Sequence, residues 1–167
     1  MWLKISKESG SFQGELGMRY IQVEPSVCVQ CLRCCLSCSY KMEGFFSPAH
    51  SRVQVMNSKK GFGIPLLCIQ CPKPPCVEVC PTGALKLTEG VVRLDELKCK
   101  FCKLCVDSCP IGCIRILDGR VIKCELCLDA DVPPCVKHCP TGALKLAELS
   151  HDERNAMLSS LSKIISE

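Results

Sequence analysis

Aromatic side chains are scarce in this chain of 167 residues, with five Phe, two Tyr and one Trp. Ordinary apolar packing is thin for that length, so a bound group has to supply part of the interior. Apolar runs long enough to span a bilayer are absent, which excludes a spanning helix and direct membrane insertion. The start Met1-Trp2-Leu3-Lys4 opens no apolar leader and carries no arginine pair, so the expectation is a cytoplasmic protein. No C-x-x-C-H occurs, which removes c-type haem attachment. His50, His138 and His151 have no second histidine or carboxylate at ligand spacing and read as structural or surface residues. No basic stripe with interleaved aromatics is present, so no nucleic-acid partner is expected.

What the chain has in excess is cysteine. Sixteen of its eighteen cysteines fall into four segments of four. Cys28, Cys31, Cys34 and Cys38 follow C-x2-C-x2-C-x3-C, as do Cys99, Cys102, Cys105 and Cys109. Cys68, Cys71, Cys76 and Cys80 read C-x2-C-x4-C-x3-C, and Cys124, Cys127, Cys135 and Cys139 read C-x2-C-x7-C-x3-C. Pro81, Pro110 and Pro140 follow three of the closing cysteines. Thiolates two residues apart on a tight loop suit three corners of one cubane. A fourth cysteine, one helical turn on, points toward a second cubane. Four 4Fe-4S clusters are therefore the expected cofactors, with all sixteen cysteines as metal ligands and none catalytic. Tetrahedral zinc normally uses two C-x2-C pairs, and this run would waste ligands on it. A disulfide framework matches the cysteine content, but belongs with a secreted chain.

The formal charge of +4 invites a nucleic-acid reading. Four oxidised clusters, each about −2 with its thiolates, turn the holo-protein acidic, at about −4. Lys98, Lys100, Lys103, Lys123 and Lys137 lie beside the segments, where they either offset cluster charge and raise reduction potentials or are ordinary solvated lysines.

The octapeptide C-P-T-G-A-L-K-L occurs twice, over 80–87 and 139–146, and a looser copy runs over 109–116. A duplicated unit explains this. Cys113 stands where the other copies have Ala84 and Ala143, and Cys35 where other segments have Val77, Val106 and Val136. Both surplus cysteines read as buried small apolar residues rather than ligands. Alternation predicts strands over 84–87 and 91–94 around Thr88-Glu89-Gly90, over 114–117 and 120–122 around Asp118-Gly119, and over 20–23. The fold class that follows is α+β, with two ferredoxin-like dicluster units of short helices and small hairpins. An arm or hairpin is expected over 1–24, carrying Trp2, Leu3, Ile5 and Phe12, with the four-cluster domain over 25–147. A helix is expected over 148–167, opened by the capping box Ser150-His151-Asp152-Glu153. Its apolar face of Met157, Leu158, Leu161, Ile164 and Ile165 either covers the domain or docks a partner.

With proline-rich inserts before the third cysteine in segments two (Pro72-Lys73-Pro74-Pro75-Cys76) and four (Asp131-Val132-Pro133-Pro134-Cys135), the chain resembles a known family. This is the four-cluster iron-sulfur subunits of molybdenum and tungsten oxidoreductases and of related hydrogenase and formate-hydrogenlyase complexes. It is most similar in look to the small polyferredoxin subunit of tungsten-containing aldehyde oxidoreductases. The resemblance spans Cys28 to about Leu146 and implies that segments pair first with fourth and second with third. One cluster then takes Cys28, Cys31, Cys34 and Cys139, and its neighbour takes Cys124, Cys127, Cys135 and Cys38. The others take Cys68, Cys71, Cys76 with Cys109, and Cys99, Cys102, Cys105 with Cys80. Ser39 departs from the pattern, which has proline there.

The function implied is a non-catalytic relay of single electrons between a catalytic subunit and an acceptor, in an anaerobic setting. The expected partners are a tungsten or molybdenum pterin enzyme and a flavin- or NAD-reducing subunit, with self-assembly as a further association. The alternatives are a free diffusible polyferredoxin and the relay subunit of a hydrogenase or formate dehydrogenase.

Overall fold

The computed structural model describes residues 19–59 and 61–166. The arm expected over 1–24 lies outside the described residues up to position 18, Trp2, Leu3, Ile5 and Phe12 included. Among the described residues the order is β1 (Arg19–Val23), α1 (Arg33–Glu43), β2 (Gln54–Asn57), β3 (Gly63–Leu66), α2 (Pro75–Glu78), β4 (Leu85–Thr88), β5 (Val91–Leu94), α3 (Leu104–Asp107), β6 (Arg115–Leu117), β7 (Arg120–Ile122), α4 (Pro134–Lys137), β8 (Leu144–Glu148) and α5 (His151–Ser166).

The strands form antiparallel pairs, β1 with β8, β2 with β3, β4 with β5 and β6 with β7. Two of these pairs follow from local turn chemistry. Glu89 and Gly90 have φ of 49° and 71°, and Asp118 and Gly119 have φ of 49° and 70°, so each hairpin turns on two left-handed residues. That geometry matches strand twist. β4 consequently runs on through Thr88, which the sequence assigns to the turn. The β1–β8 pair joins distant parts of the chain, with Ile21 opposite Leu146 and Val23 opposite Leu144. Helices associate across segments in the same way, α1 against α4 and α2 against α3.

Proline decides the helix lengths. α2, α3 and α4 are four residues each, and Pro81, Pro110 and Pro140 stand just beyond them, where proline disfavours helical backbone in the residue before it. Ser39 imposes no such stop, and α1 continues to Glu43. There Gly44, at φ 79°, donates its N–H to the Tyr40 carbonyl at 2.9 Å and closes the helix. Ser39 is buried, its hydroxyl donating to the Leu36 carbonyl at 3.0 Å and accepting the Ser47 N–H at 2.9 Å.

The core is aliphatic and sulfur-rich: Ile21, Ile64, Leu67, Ile69, Leu85, Ile114, Ile122 and Leu144 are buried among cysteines. Tyr20 is the fully buried aromatic of the described residues. α5 closes over this core. Its capping box is formed, Ser150 N–H donating to Glu153 Oε2 at 2.7 Å and Glu153 N–H to Ser150 Oγ at 3.2 Å. Leu161 is 2 % exposed, and Met157, Leu158, Ile164 and Ile165 pack against the same core. The apolar face of α5 therefore lies on its own domain rather than being free for a partner. No helix of the described residues is long and apolar enough to cross a membrane.

Candidate iron-sulfur sites

Each site begins with a backbone that ordinary side chains disfavour. Gln30 and Leu32 in the first segment, and Phe101 and Lys103 in the third, all have φ between 53° and 67°. The equivalent loops of the other segments hold Gln70 at 53°, Leu126 at 65° and Cys127 at 50°. Left-handed non-glycine residues are strained, and their recurrence beside every x2 cysteine pair points to a shared task. Such loops turn successive N–H groups toward one concavity suited to an anion. Leu126 N–H, for instance, donates to Cys124 Sγ at 3.5 Å.

The closing cysteines are held by the turn after them. Burial pushes the Cys80 thiol up, but N–H groups of Leu85, Ala84 and Thr82 and the Thr82 hydroxyl outweigh it and leave the thiol below its ordinary value. Cys139 repeats this with Leu144, Thr141 and Ala143. The glycine of C-P-x-G makes the wrap, with φ of 61°, 62° and 70° at Gly83, Gly112 and Gly142. Cys38, without that turn, accepts the Arg52 N–H at 3.3 Å instead.

The side chains assemble in four sets, each drawing one thiol from another segment. Cys28, Cys31, Cys34 and Cys139 line one small cavity with Val55, Pro65 and Leu144. Cys99, Cys102, Cys105 and Cys80 line another with Leu85, Leu94 and Val121. Cys124, Cys127, Cys135 and Cys38 border a third, with Ile21 and Val53. The thiols of Cys68, Cys71, Cys76 and Cys109 are mutual electrostatic neighbours. α1 carries Cys34 of one set and Cys38 of the next, and α4 carries Cys135 while Cys139 closes its turn. α2 and α3 link the other two sets in the same manner through Cys76 with Cys80 and Cys105 with Cys109. Between the pairs, the Cys124 thiol lies within the field of Cys68. Gln70, from the Cys68–Cys71 loop, donates Nε2 to the Cys124 carbonyl at 3.0 Å. The sets therefore run in a line, and the exposed cysteines, Cys31 and Cys102, belong to its two ends.

The donors fit a cubane. Burial pushes the Cys71 thiol up to about 11 and Cys76 to about 12, and Cys124 and Cys135 are raised for the same reason. Four thiolates around one buried hole need a polycationic centre to neutralise them, and the Fe–S core supplies it. Among the described residues, no three or more His, Cys, Asp or Glu side chains stand as a single-ion site. In three of the sets the donors border a space rather than meet at a point.

Several neighbours of these thiols carry no local motif. Gly63 passes so close to the first set that a Cβ there would lie 2.7 Å from Cys28 Sγ and 2.7 Å from Gln30 Cγ. The surplus cysteines are buried, as their positions in the repeats indicate, but both are also polar partners. Cys113 Sγ lies 3.4 Å from Cys109 Sγ. Its bonds to Cys109 and Cys68 hold its own proton on, and lower the Cys109 thiol to about 6. Cys35 donates to the Val53 carbonyl at 3.2 Å and adjoins Cys34. Of the five lysines beside the segments, Lys98, Lys100, Lys103 and Lys137 are exposed and Lys123 is buried. His50 bridges Ser47 at 2.9 Å and Asp118 at 2.8 Å, a structural role.

Known proteins resemble this chain in sequence. Residues 60–149 match the 4Fe-4S dicluster domain. The polyferredoxin-like subunit of aliphatic sulfonate oxidoreductase from Pyrococcus furiosus is 40% identical over 124 residues, covering 72% of this chain and 70% of that protein. The beta subunit of NADH-dependent phenylglyoxylate dehydrogenase from Aromatoleum evansii is 39% identical over 133 residues, covering 75% and 29%. Formate hydrogenlyase subunit 2 of Escherichia coli (strain K12) is 30% identical over 169 residues, covering 78% and 82%. With cysteine spacing, paired short helices and a sequence match over more than half its length, the chain belongs to the 4Fe-4S dicluster domain family.

Proposed function

We propose that this chain is a non-catalytic electron-transfer subunit holding four 4Fe-4S clusters in a line. Their ligands are Cys28, Cys31, Cys34 and Cys139, then Cys124, Cys127, Cys135 and Cys38, then Cys68, Cys71, Cys76 and Cys109, and then Cys99, Cys102, Cys105 and Cys80. When bound, each cluster accepts and releases one electron. The observation that carries the reading is the linear order of the sets with an exposed thiol at each end, since a relay needs buried inner centres and accessible termini. Every set has four thiols, which leaves no open metal position for substrate.

The partner is the catalytic subunit of an oxidoreductase, of the tungsten or molybdenum pterin type. The three relatives above are named as subunits of an oxidoreductase, a dehydrogenase and a formate hydrogenlyase, which supports a fixed place in a complex. A groove between α1 and α4 is where we place that partner. It is lined by Leu36, Tyr40, Phe46 and Pro134, with Arg33 and His138 among its polar residues. Tyr40 and Phe46 stack 4.7 Å apart while remaining 55% and 67% exposed. Such an aromatic pair left in water at the helix that carries Cys34 and Cys38 is a docking anchor. Reduced thiols and low-potential clusters suit an anaerobic cytoplasm.

Anaerobically prepared protein should contain about sixteen iron and sixteen sulfide per chain. Alone it should oxidise no substrate, yet be reduced when mixed with its catalytic subunit and that subunit's substrate. Phe46→Asp should weaken co-purification without loss of iron. About eight iron in fully reconstituted protein would show that two of the sets hold no cluster.

A further inference from the structure

Lys123 and Arg154 are each buried to 4 % exposure, and no carboxylate pairs with either among the described residues. Lys123 Nζ donates to the main-chain carbonyls of Cys124, at 2.8 Å, and Val92. Arg154, in the first turns of α5, donates Nη1 to the Gln70 carbonyl at 2.7 Å and lies over the Tyr20 ring at 4.2 Å. Its Nε is buried with no hydrogen-bond partner. Carbonyl dipoles and an aromatic face do not neutralise a full charge, and a desolvated cation without a counter-ion is costly.

Both cations face the same set of thiols. Lys123 acts on Cys68 and Cys76, and Arg154 acts on Cys71. Gln70 lies between Cys68 and Cys71, with its side chain on the Cys124 carbonyl that also holds Lys123. The cations around the neighbouring Cys124 set are disposed differently. Lys41 is paired with Asp129 and Arg52 with Glu43, Arg115 beside Cys38 is only partly buried, and of Arg93 and Glu125, which line the cavity, Arg93 is exposed.

Resting on the cluster reading above, we propose that Lys123 and Arg154 are the fixed counter-charges of the centre held by Cys68, Cys71, Cys76 and Cys109. They give it the highest reduction potential of the four, so a single electron in the relay rests there. Fixed positive charge favours the more negative, reduced cluster, and burial leaves that attraction unscreened. Lys123 and Arg154 are positioning residues, and α5 is thereby a redox-tuning element.

The test is a redox titration followed by electron paramagnetic resonance on the full-length holoprotein, with iron and sulfide measured on each sample. Cys71→Ser marks which signal belongs to this centre. Lys123→Met and Arg154→Met should each move the midpoint of that signal to lower potential, additively in the double variant, and by more than they move any of the other three. Arg154→Lys should restore most of the Arg154→Met shift. With four centres present, unmoved midpoints, or a larger movement of a different centre, overturn the proposal. If the Met variants lose iron, the wild type decides: the first centre reduced must be the one that Cys71→Ser alters, and any other order overturns the proposal. Fewer than four centres in the wild type would instead sink the cluster reading, and the inference with it.

Discussion

Gly63 shows how one residue governs a site to which it contributes no ligand. It stands in β3, and its N–H donates to the Cys28 carbonyl at 3.3 Å, which brings its Cα against the first thiol set. A methyl group there would lie 2.7 Å from Cys28 Sγ, well inside contact distance. Gly63→Ala should therefore displace Cys28 and release the iron of one cluster, about four atoms per chain, in an anaerobic iron assay. Full iron retention would show that the loop yields without loss. Cys113 is a milder case. The repeats themselves carry Ala84 and Ala143 at its position, so Cys113→Ala should fold with all its iron and cost about 1 kcal/mol. The thiol it removes bonds Cys109 and Cys68, so the midpoint of that centre alone should fall. Cys113→Ser, which keeps a donor, should lie between the two.

At the scale of elements, the absence of a proline after Cys38 lets α1 run on, and the extension ties the Cys28 segment to the β6–β7 hairpin. Glu43, near the end of α1, pairs with Arg52 and, at 2.8 Å, with Arg120 at the start of β7. The Arg120 hydrogen bond, and then Arg52, hold the Glu43 carboxyl below its ordinary value against the opposing effect of burial. A lowered folded-state value means that the stabilisation is present above the unfolded carboxyl pKa of about 4.3 and is lost as pH falls through the folded one. Glu43→Gln should therefore lose cluster absorbance faster than wild type on warming at pH 7. The two rates should converge as pH falls through the folded-state value. A gap that persists in acid would assign the effect to packing.

The whole molecule is built around groups that its apolar residues alone do not replace. Three of the thiol sets border cavities, and burying Leu161 completely contributes only about 2 kcal/mol. Removing iron should therefore remove the fold. Anaerobic chelation should abolish the far-ultraviolet circular dichroism of the strand pairs together with cluster absorbance, as one transition. Retention of native dichroism after iron loss would show that the aliphatic core around Ile21, Ile64, Leu85 and Leu144 suffices. α5 belongs to this assembly, since Arg154 reaches Gln70 across 84 residues and Leu161 is buried on the domain.

Hairpins at Glu89-Gly90 and Asp118-Gly119, the capping box of α5, the C-P-x-G turns and the α+β class were legible in the sequence. Each rests on a local demand: a left-handed turn, a cap, or a residue that stops a helix. The four cysteine segments were legible for the same reason, because spacing along a loop is one-dimensional. The β2–β3 pair was not, since Gln54–Asn57 shows no strict alternation and Gly63–Leu66 contains Pro65 and is buried throughout. Nor could spacing single out Lys123 from four exposed lysines, Arg154 from the polar start of a helix, or Gly63 from the other glycines. Burial and close approach depend on what distant segments bring. Val92 and Cys124 meet around Lys123, and Tyr20 and Gln70 around Arg154, only once the chain has folded. Spacing along the chain supplies the thiols, whereas the field in which they stand is a property of tertiary structure, because charge acts through space and not along sequence.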